Sequence, residues 1–339
     1  MAITKAAPRR PDDRRDPERA EEEGRHLDSP LLLTMLLLTL VLLQSPIRRA
    51  LSAPVMQSWT TVFVAVMVQA LPFLVLGVLL SAAIAVFVPP SFFARALPRR
   101  PALAVPVAGA AGVVLPGCEC ASVPVAGALV RRGVTPAAAL AFLLSAPAIN
   151  PIVLTATAVA FPGDPEMVLA RLVASLLVAC AMGWLWLRLG RTEWLRPQSR
   201  ASHDGQSKGE AFWDSVRHDV MHAGGFLVVG AMAAATLKAV APESWLSAAA
   251  DNPVLSVLAL AVLAVVLSIC SEADAFVAAS LTQFSLTARL TFLVVGPVID
   301  LKLFAMQAGT FGRAFALRFA PATFALAVVV SVLTGWVIL

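Results

Sequence analysis

From Trp59 to Val88 the chain runs for 30 positions without an Asp, Glu, Lys or Arg. About 20 apolar residues suffice to cross a bilayer as a helix. In hydrocarbon only helices and closed barrels satisfy their own backbone. Further apolar runs cover Leu103–Val130, Pro136–Phe161 and Met167–Leu189, and the pattern recurs in the second half. Hydrophobic residues make up 59% of the 339 and charged residues 14%, where soluble domains carry about 25% charged. The expectation is an all-α, polytopic membrane protein of about 8–9 hydrophobic segments. A pI near 9.5 does not signal nucleic acid here, because Lys and Arg fall between the apolar runs, where they set orientation.

Residues 1–29 carry dense mixed charge and several prolines, which reads as a disordered cytoplasmic tail. Residues 30–58 hold the Leu-rich run Leu31–Ile47, read as a signal-anchor helix followed by a loop. A long charged segment precedes it and the site near Ala53-Pro54 suits cleavage poorly, which argues against a removed signal peptide. Residues 59–189 form a first repeat, 190–215 a polar linker with Arg191, Arg196, Arg200 and Lys208, and 216–339 a second repeat. Phe73…Gly77 matches Phe226…Gly230, Cys118 matches Cys270, Phe142 matches Phe292, and Pro147…Asn150 matches Pro297…Asp300. The offset drifts only from 153 to 150.

Charge placement orients the repeats. Leu103–Val130 is broken by Pro116-Gly117 and Pro124 and flanked by Arg95, Arg99, Arg100 and by Arg131, Arg132. A single crossing would put these clusters on opposite sides and the acidic Asp164-Pro165-Glu166 turn with the cytoplasm. A hairpin turning at Pro116-Gly117 puts both clusters and the basic linker on the cytoplasmic side, as the positive-inside rule favours. The second repeat, with a hairpin over about Val254–Leu281, then runs the other way up. Arg48, Arg49 and Arg289 do not fit this scheme. Inverted repeats of broken helices with a site near the midplane recur in transporters.

Polar groups at membrane depth are costly and mark pathways. Cys118 and Cys120 flank Glu119 at the first hairpin tip, and Cys270 lies at the second. Thiolates bind soft centres such as As(III), Cu(I) and Zn. The same cysteines also read as small residues packing at a helix break, or as a redox pair. Cys180, in a plain apolar run, reads as a buried hydrophobe. Glu119, Glu272, Asp274 and Asp300 are candidates for the charge that couples transport, with Glu119 alternatively only solvating a vestibule. Asn150 and Asp300 follow in-span prolines, where they bind substrate or cap the resumed helix. Lys302 requires a partner, from among Asp300, Asp274 and Glu272. Ser122, Ser145, Ser271 and Thr155 offer oxygens. His218 and His222 are four apart, a spacing that can bind a metal, but no third ligand is evident nearby. No Walker, Ser/His/Asp or haem motif occurs, so no enzyme, cofactor or resident metal is expected.

Across Leu115-Pro116-Gly117-Cys118-Glu119-Cys120-Ala121-Ser122-Val123-Pro124 and Phe142-Leu143-Leu144-Ser145-Ala146-Pro147-Ala148-Ile149-Asn150-Pro151 the sequence resembles the bacterial predicted-permease family that includes the ArsP-type organoarsenical efflux permeases. The resemblance covers roughly residues 59–339. It implies an inner-membrane permease, and some members are similar to exporters of trivalent methylated or aromatic arsenicals, for which Cys118, Cys120 and Cys270 would be contacts. Family members usually carry Cys-Ser-Cys-Gly where this chain has Cys-Glu-Cys-Ala, so Glu119 changes the charge of the tip and a cation is an alternative substrate. The joined expectation is a secondary transporter of the cell membrane, N-terminus cytoplasmic, with the lipid bilayer and a small-molecule or ion substrate as partners and no nucleic acid. Its substrate-binding residues are Cys118, Cys120, Ser122, Asn150, Cys270, Glu272, Asp274, Asp300 and Lys302, and it exports a soft metalloid or metal species such as trivalent organoarsenicals. The alternatives are a membrane thiol redox protein using Cys118 and Cys120, or a permease for an unrelated small ion.

Overall fold

The computed structural model describes residues 54–115, 118–195, 207–240 and 252–339. The expectations for the N-terminal tail, for Leu31–Ile47 and for the Pro116-Gly117 turn lie outside the described residues. The chain divides into Met1–Gln57, of which only a first helical turn from Pro54 is described, and Ser58–Leu339, to which everything below refers.

The described residues form helices and no strand. In the first half these are α1 (Pro54–Phe87), α2 (Pro90–Ala96), α3 (Pro101–Ala111), α4 (Glu119–Arg131), α5 (Pro136–Ile149), α6 (Pro151–Ala160) and α7 (Pro165–Leu189). The second half supplies α8 (Lys208–Val240), α9 (Pro253–Leu267), α10 (Asp274–Ser280), α11 (Leu286–Val298), α12 (Leu301–Phe311) and α13 (Arg313–Ile338). Seven of them begin at a proline, where the missing N–H costs no helical hydrogen bond. Helix α8 begins at Lys208, inside the stretch read as linker.

Among the described residues six elements are long and apolar enough to cross a membrane: α1, α5–α6, α7, α8, α11–α12 and α13. At about 1.5 Å per residue, the 11 residues of α3 and 13 of α4 fall short of a core about 30 Å thick. They form a hairpin instead. Ala104 near the start of α3 packs with Leu129 at the end of α4 and with Val134 and Ala138 around the start of α5. At its other end, α3 approaches Ser145 and Ala146 near the end of α5. Both hairpin arms therefore lie along α5, with Arg100 and Arg131 at one end. Helices α9 and α10 lie along α11 in the same way, Ala264 and Asp274 both beside Gly296.

Equivalent helices of the two repeats run antiparallel. Ser81, late in α1, bonds Asp219, early in α8, at 3.1 Å, while Trp59, early in α1, donates to Thr236, late in α8, at 2.9 Å. Trp186 near the end of α7 packs edge-on against Phe315 and Phe319 at the start of α13. The repeats are inverted. One end of Ser58–Leu339 gathers Arg100, Arg131, Arg188, Arg191, Arg313 and Arg318, the last stacked 4.8 Å over Trp194. The opposite end carries Asp164, Glu166 and Arg289. Arg289, one of the three misfits of the charge pattern, is held there by the Phe284 carbonyl at 3.1 Å and faces Asp164.

Outward faces are large and apolar, with Val68, Leu71, Leu317, Val329 and Trp336 exposed, whereas the inward faces are rich in alanine. Small residues let helix backbones approach where lipid offers no hydrophobic drive. The repeat-matched Gly77 and Gly230 carry this furthest. A Cβ on Gly77 would overlap the backbone of Ala121 in α4, and one on Gly230 would overlap the Cα of Lys302 in α12. Gly77→Val should therefore push α1 off the first hairpin and cost about 1–3 kcal/mol, read as a lowered Tm of purified protein in detergent.

Candidate functional site

Four chain breaks converge where the hairpin tips meet the interrupted spans. The first hairpin returns at Cys118, extended, and α4 starts at Glu119. In the second hairpin α9 stops at Ser268, whose φ of 47° lies in the left-handed region that terminates helices. Asn150 interrupts α5–α6 after Pro147. Its side chain takes the Val153 N–H at 3.0 Å and donates to the Ala146 carbonyl at 3.1 Å. Asp300 interrupts α11–α12 after Pro297 and accepts the Leu303 N–H at 2.6 Å. Both matched residues thus cap the helix that resumes after the break. Only Asp300 has a carboxylate oxygen left over for a charge.

That oxygen, Oδ2, lies 3.1 Å from the ammonium of Lys302. The same ammonium is 2.5 Å from Oε1 of Glu119 and donates to the Ser268 carbonyl at 2.8 Å. Glu119, Asp300 and Lys302 are all essentially inaccessible, so Glu119 does not solvate a vestibule. The partner of Lys302 across the repeats is Glu119 rather than Asp274 or Glu272. Asp274 is taken instead by Arg171 of α7, whose guanidinium lies 3.0 Å from it and also donates to the Ser271 carbonyl at 3.1 Å and the Thr157 hydroxyl at 2.8 Å. Arg171 is the functional candidate that residue-by-residue reading missed. It is the one charged residue between Glu166 and Arg188, and that isolation inside an apolar run is the signal that marks it. Glu272 is half-buried, and among the described residues its Oε1 and the Ser271 hydroxyl have no hydrogen-bond partner. Such orphaned buried atoms invite a ligand or solvent.

The sulfur atoms gather at the same place. Sγ of Cys118, Sγ of Cys120 and a carboxylate oxygen of Glu119 lie within 4.8 Å of one another. Cys118 is also within hydrogen-bonding reach of Cys270 from the other repeat. All are free thiols, fully enclosed. The site therefore offers three soft donors and four carboxylates set against two cations. Other expected oxygens contribute less. The Ser122 hydroxyl bonds the Glu119 carbonyl and the Ser145 hydroxyl the Phe142 carbonyl, while Thr155 is exposed. Cys180 packs with Val105, Ala137 and Ala141, away from the tips.

A cavity of about 30 Å³ lies between α4, α8 and α12, lined by Pro124, Arg131, His218, Asp219, His222, Ala223 and Thr310. Pro124 is one turn beyond Cys120, so this cavity lies on the arginine-rich side of the thiols. The His218 and His222 rings stack at 6.2 Å, and Nε2 of His222 bonds the Gly309 carbonyl at 3.1 Å, which leaves that nitrogen occupied.

Two inverted repeats of broken helices, meeting at buried charges and thiols, define a multi-pass membrane permease that acts on a small molecule or ion. The chain belongs to the ArsP-type predicted-permease family, whose family model, described as "Predicted permease", matches residues 55–337. It is similar to "UPF0718 protein YcgR" of Bacillus subtilis (strain 168), 35% identical over 262 residues, covering 75% of this chain and 89% of that protein. It is also similar to "Putative two-component membrane permease complex subunit" of Streptococcus mutans serotype c, 29% identical over 282 residues, covering 81% of this chain and 94% of that one. No solved structure matches the chain.

Removing one partner of a buried ion pair costs about 3–5 kcal/mol, whereas replacing both by apolar groups is often neutral. Arg171→Met should lower the Tm sharply, and adding Asp274→Leu should recover most of the loss. A double-mutant cycle on purified protein measures this.

Proposed function

We propose that this permease is a secondary transporter that exports a soft metalloid or metal species, trivalent organoarsenicals among them, through a site near the membrane midplane. The carrying observation is the convergence of Cys118, Cys120 and Cys270 from the two hairpin tips. A trivalent arsenical bearing two hydroxyls would exchange each for a sulfur. Every As–S bond formed breaks one As–OH bond, and the thiol's proton leaves with the hydroxide as water, with no change of oxidation state. The buried charges fit the coupling role, since Glu119–Lys302 and Arg171–Asp274 both cross between repeats and any rocking of one repeat against the other must work on them. By the positive-inside rule the arginine-rich end faces the cytoplasm. The cavity at Pro124 and Arg131 then lies on the path by which substrate enters for export.

The test is uptake by everted membrane vesicles. Cys118→Ser and Cys120→Ser should each abolish methylarsenite accumulation at wild-type expression, and Cys270→Ser should weaken it. Undiminished accumulation in all of them would dismiss the thiol site. A thiol redox protein, by contrast, would form a reversible Cys118–Cys120 disulfide and accumulate nothing. For orientation, a cysteine placed at Arg132 in a cysteine-free background should resist a membrane-impermeant maleimide in intact cells, while one placed at Asp164 should react.

A further inference from the structure

Granting a thiol-lined transport site, Lys302 is the cation that stands beside it. Its ammonium takes oxygens from three separate segments: Glu119 of the first hairpin, the Ser268 carbonyl of the second, and Asp300 at the helix break, at 2.5, 2.8 and 3.1 Å. The Ser268 carbonyl accepts a hydrogen bond from it, and the two carboxylates pair with it as ions. Two carboxylates and a backbone carbonyl released by the left-handed turn at Ser268 are the oxygen set that otherwise holds a metal cation. Here a tethered cation holds them. Glu119 belongs to both groups: it binds the ammonium, and its carboxylate lies within 4.8 Å of the Cys118 and Cys120 sulfurs. A metal ion bound by those sulfurs and Glu119 would sit beside the ammonium, where like charges repel strongly in a medium of low dielectric. The helix break itself does not demand this charge. At the matched positions of the first repeat stand Asn150, which caps its helix without a carboxylate, and Ile152.

We infer that Lys302 is a built-in competitor for a cationic substrate. Its ammonium occupies Glu119 when the site is empty. A soft divalent cation entering Cys118, Cys120 and Glu119 displaces it, each thiol engaged releasing one proton. As the ion departs, the ammonium returns to Glu119 and prevents rebinding. A neutral trivalent arsenical, which loses its hydroxyls as water, brings no charge and leaves Lys302 in place. Lys302 thus sets cation affinity low enough for release and separates charged from neutral cargo.

The experiment uses the full chain in lipid nanodiscs and liposomes, with Cd²⁺ as the cationic probe and phenylarsine oxide as the neutral one. Lys302→Met removes the competitor. The charge-balanced pair Asp300→Asn with Lys302→Met keeps the helix cap in the form Asn150 already uses, and guards against misfolding of the single variant. Both should bind Cd²⁺ about tenfold or more tightly, because the fraction of sites free of the ammonium no longer limits affinity. Cd²⁺ efflux should slow, and the gain in affinity should be larger for Cd²⁺ than for phenylarsine oxide. An unchanged or weakened Cd²⁺ affinity in the folded double variant, with binding still lost in Cys118→Ser/Cys120→Ser, would overturn the role of Lys302 and leave the thiol site standing. An equal gain for phenylarsine oxide would also overturn it. Cd²⁺ binding that is absent, or indifferent to both cysteines, would overturn the competitor and the thiol site together.

Discussion

A buried ammonium and a buried guanidinium must each be given a carboxylate, because taking an ion out of water costs several kcal/mol even after local relaxation. In this permease Lys302 and Arg171 are both enclosed, and each finds its acid in the opposite repeat: Glu119 for one, Asp274 for the other. The hairpins reach the interior so that those acids can be delivered. An unbroken helix would carry them past on one face only. The left-handed Ser268 and the breaks at Asn150 and Asp300 are the means by which apolar segments end where the charges need them.

The scaffold is doubled but the chemistry is not. Asn150 and Asp300 cap equivalent helices by the same bond, each accepting the N–H three residues on, yet only the second adds a charge. The first tip presents Cys118, Glu119 and Cys120, and the matched second tip Cys270, Ser271 and Glu272. The cation that answers the first tip comes from α12. The one that answers the second comes from α7, whose counterpart α13 carries no charged residue beyond Arg318. Two copies of one backbone supply a near-symmetric frame, and substitutions at its centre make the two faces of the site unlike.

Much of this was readable from residue order. Apolar length identified the spans, prolines marked where they break, and the two arginine clusters around the first hairpin pointed to inversion, because only a returning chain puts both on one side. Pairing was less legible. Lys302 announced that it needed a partner, but three carboxylates lay within reach of any sketch, and Glu119 is distant in sequence and sits in the other repeat. Arg171 escaped notice because helical periodicity says nothing about what lies across a repeat interface. The division of labour at Asp300, one oxygen for the backbone and one for an ammonium, depends on the extended backbone at Ile299 and Asp300, which no pattern of residue types specifies.

The cross-repeat pairing also bears on how such a chain is made. Arg171 enters the membrane with the first repeat, but its acid follows 103 residues later. Glu119 waits longer still for Lys302. During synthesis the first half must hold an unmatched guanidinium and an unmatched carboxylate near the translocation machinery, or leave its hairpin shallow, until the second half arrives. Neither half is then a competent assembly intermediate in lipid, and membrane quality control would meet every partly made chain as a charged, unfinished bundle.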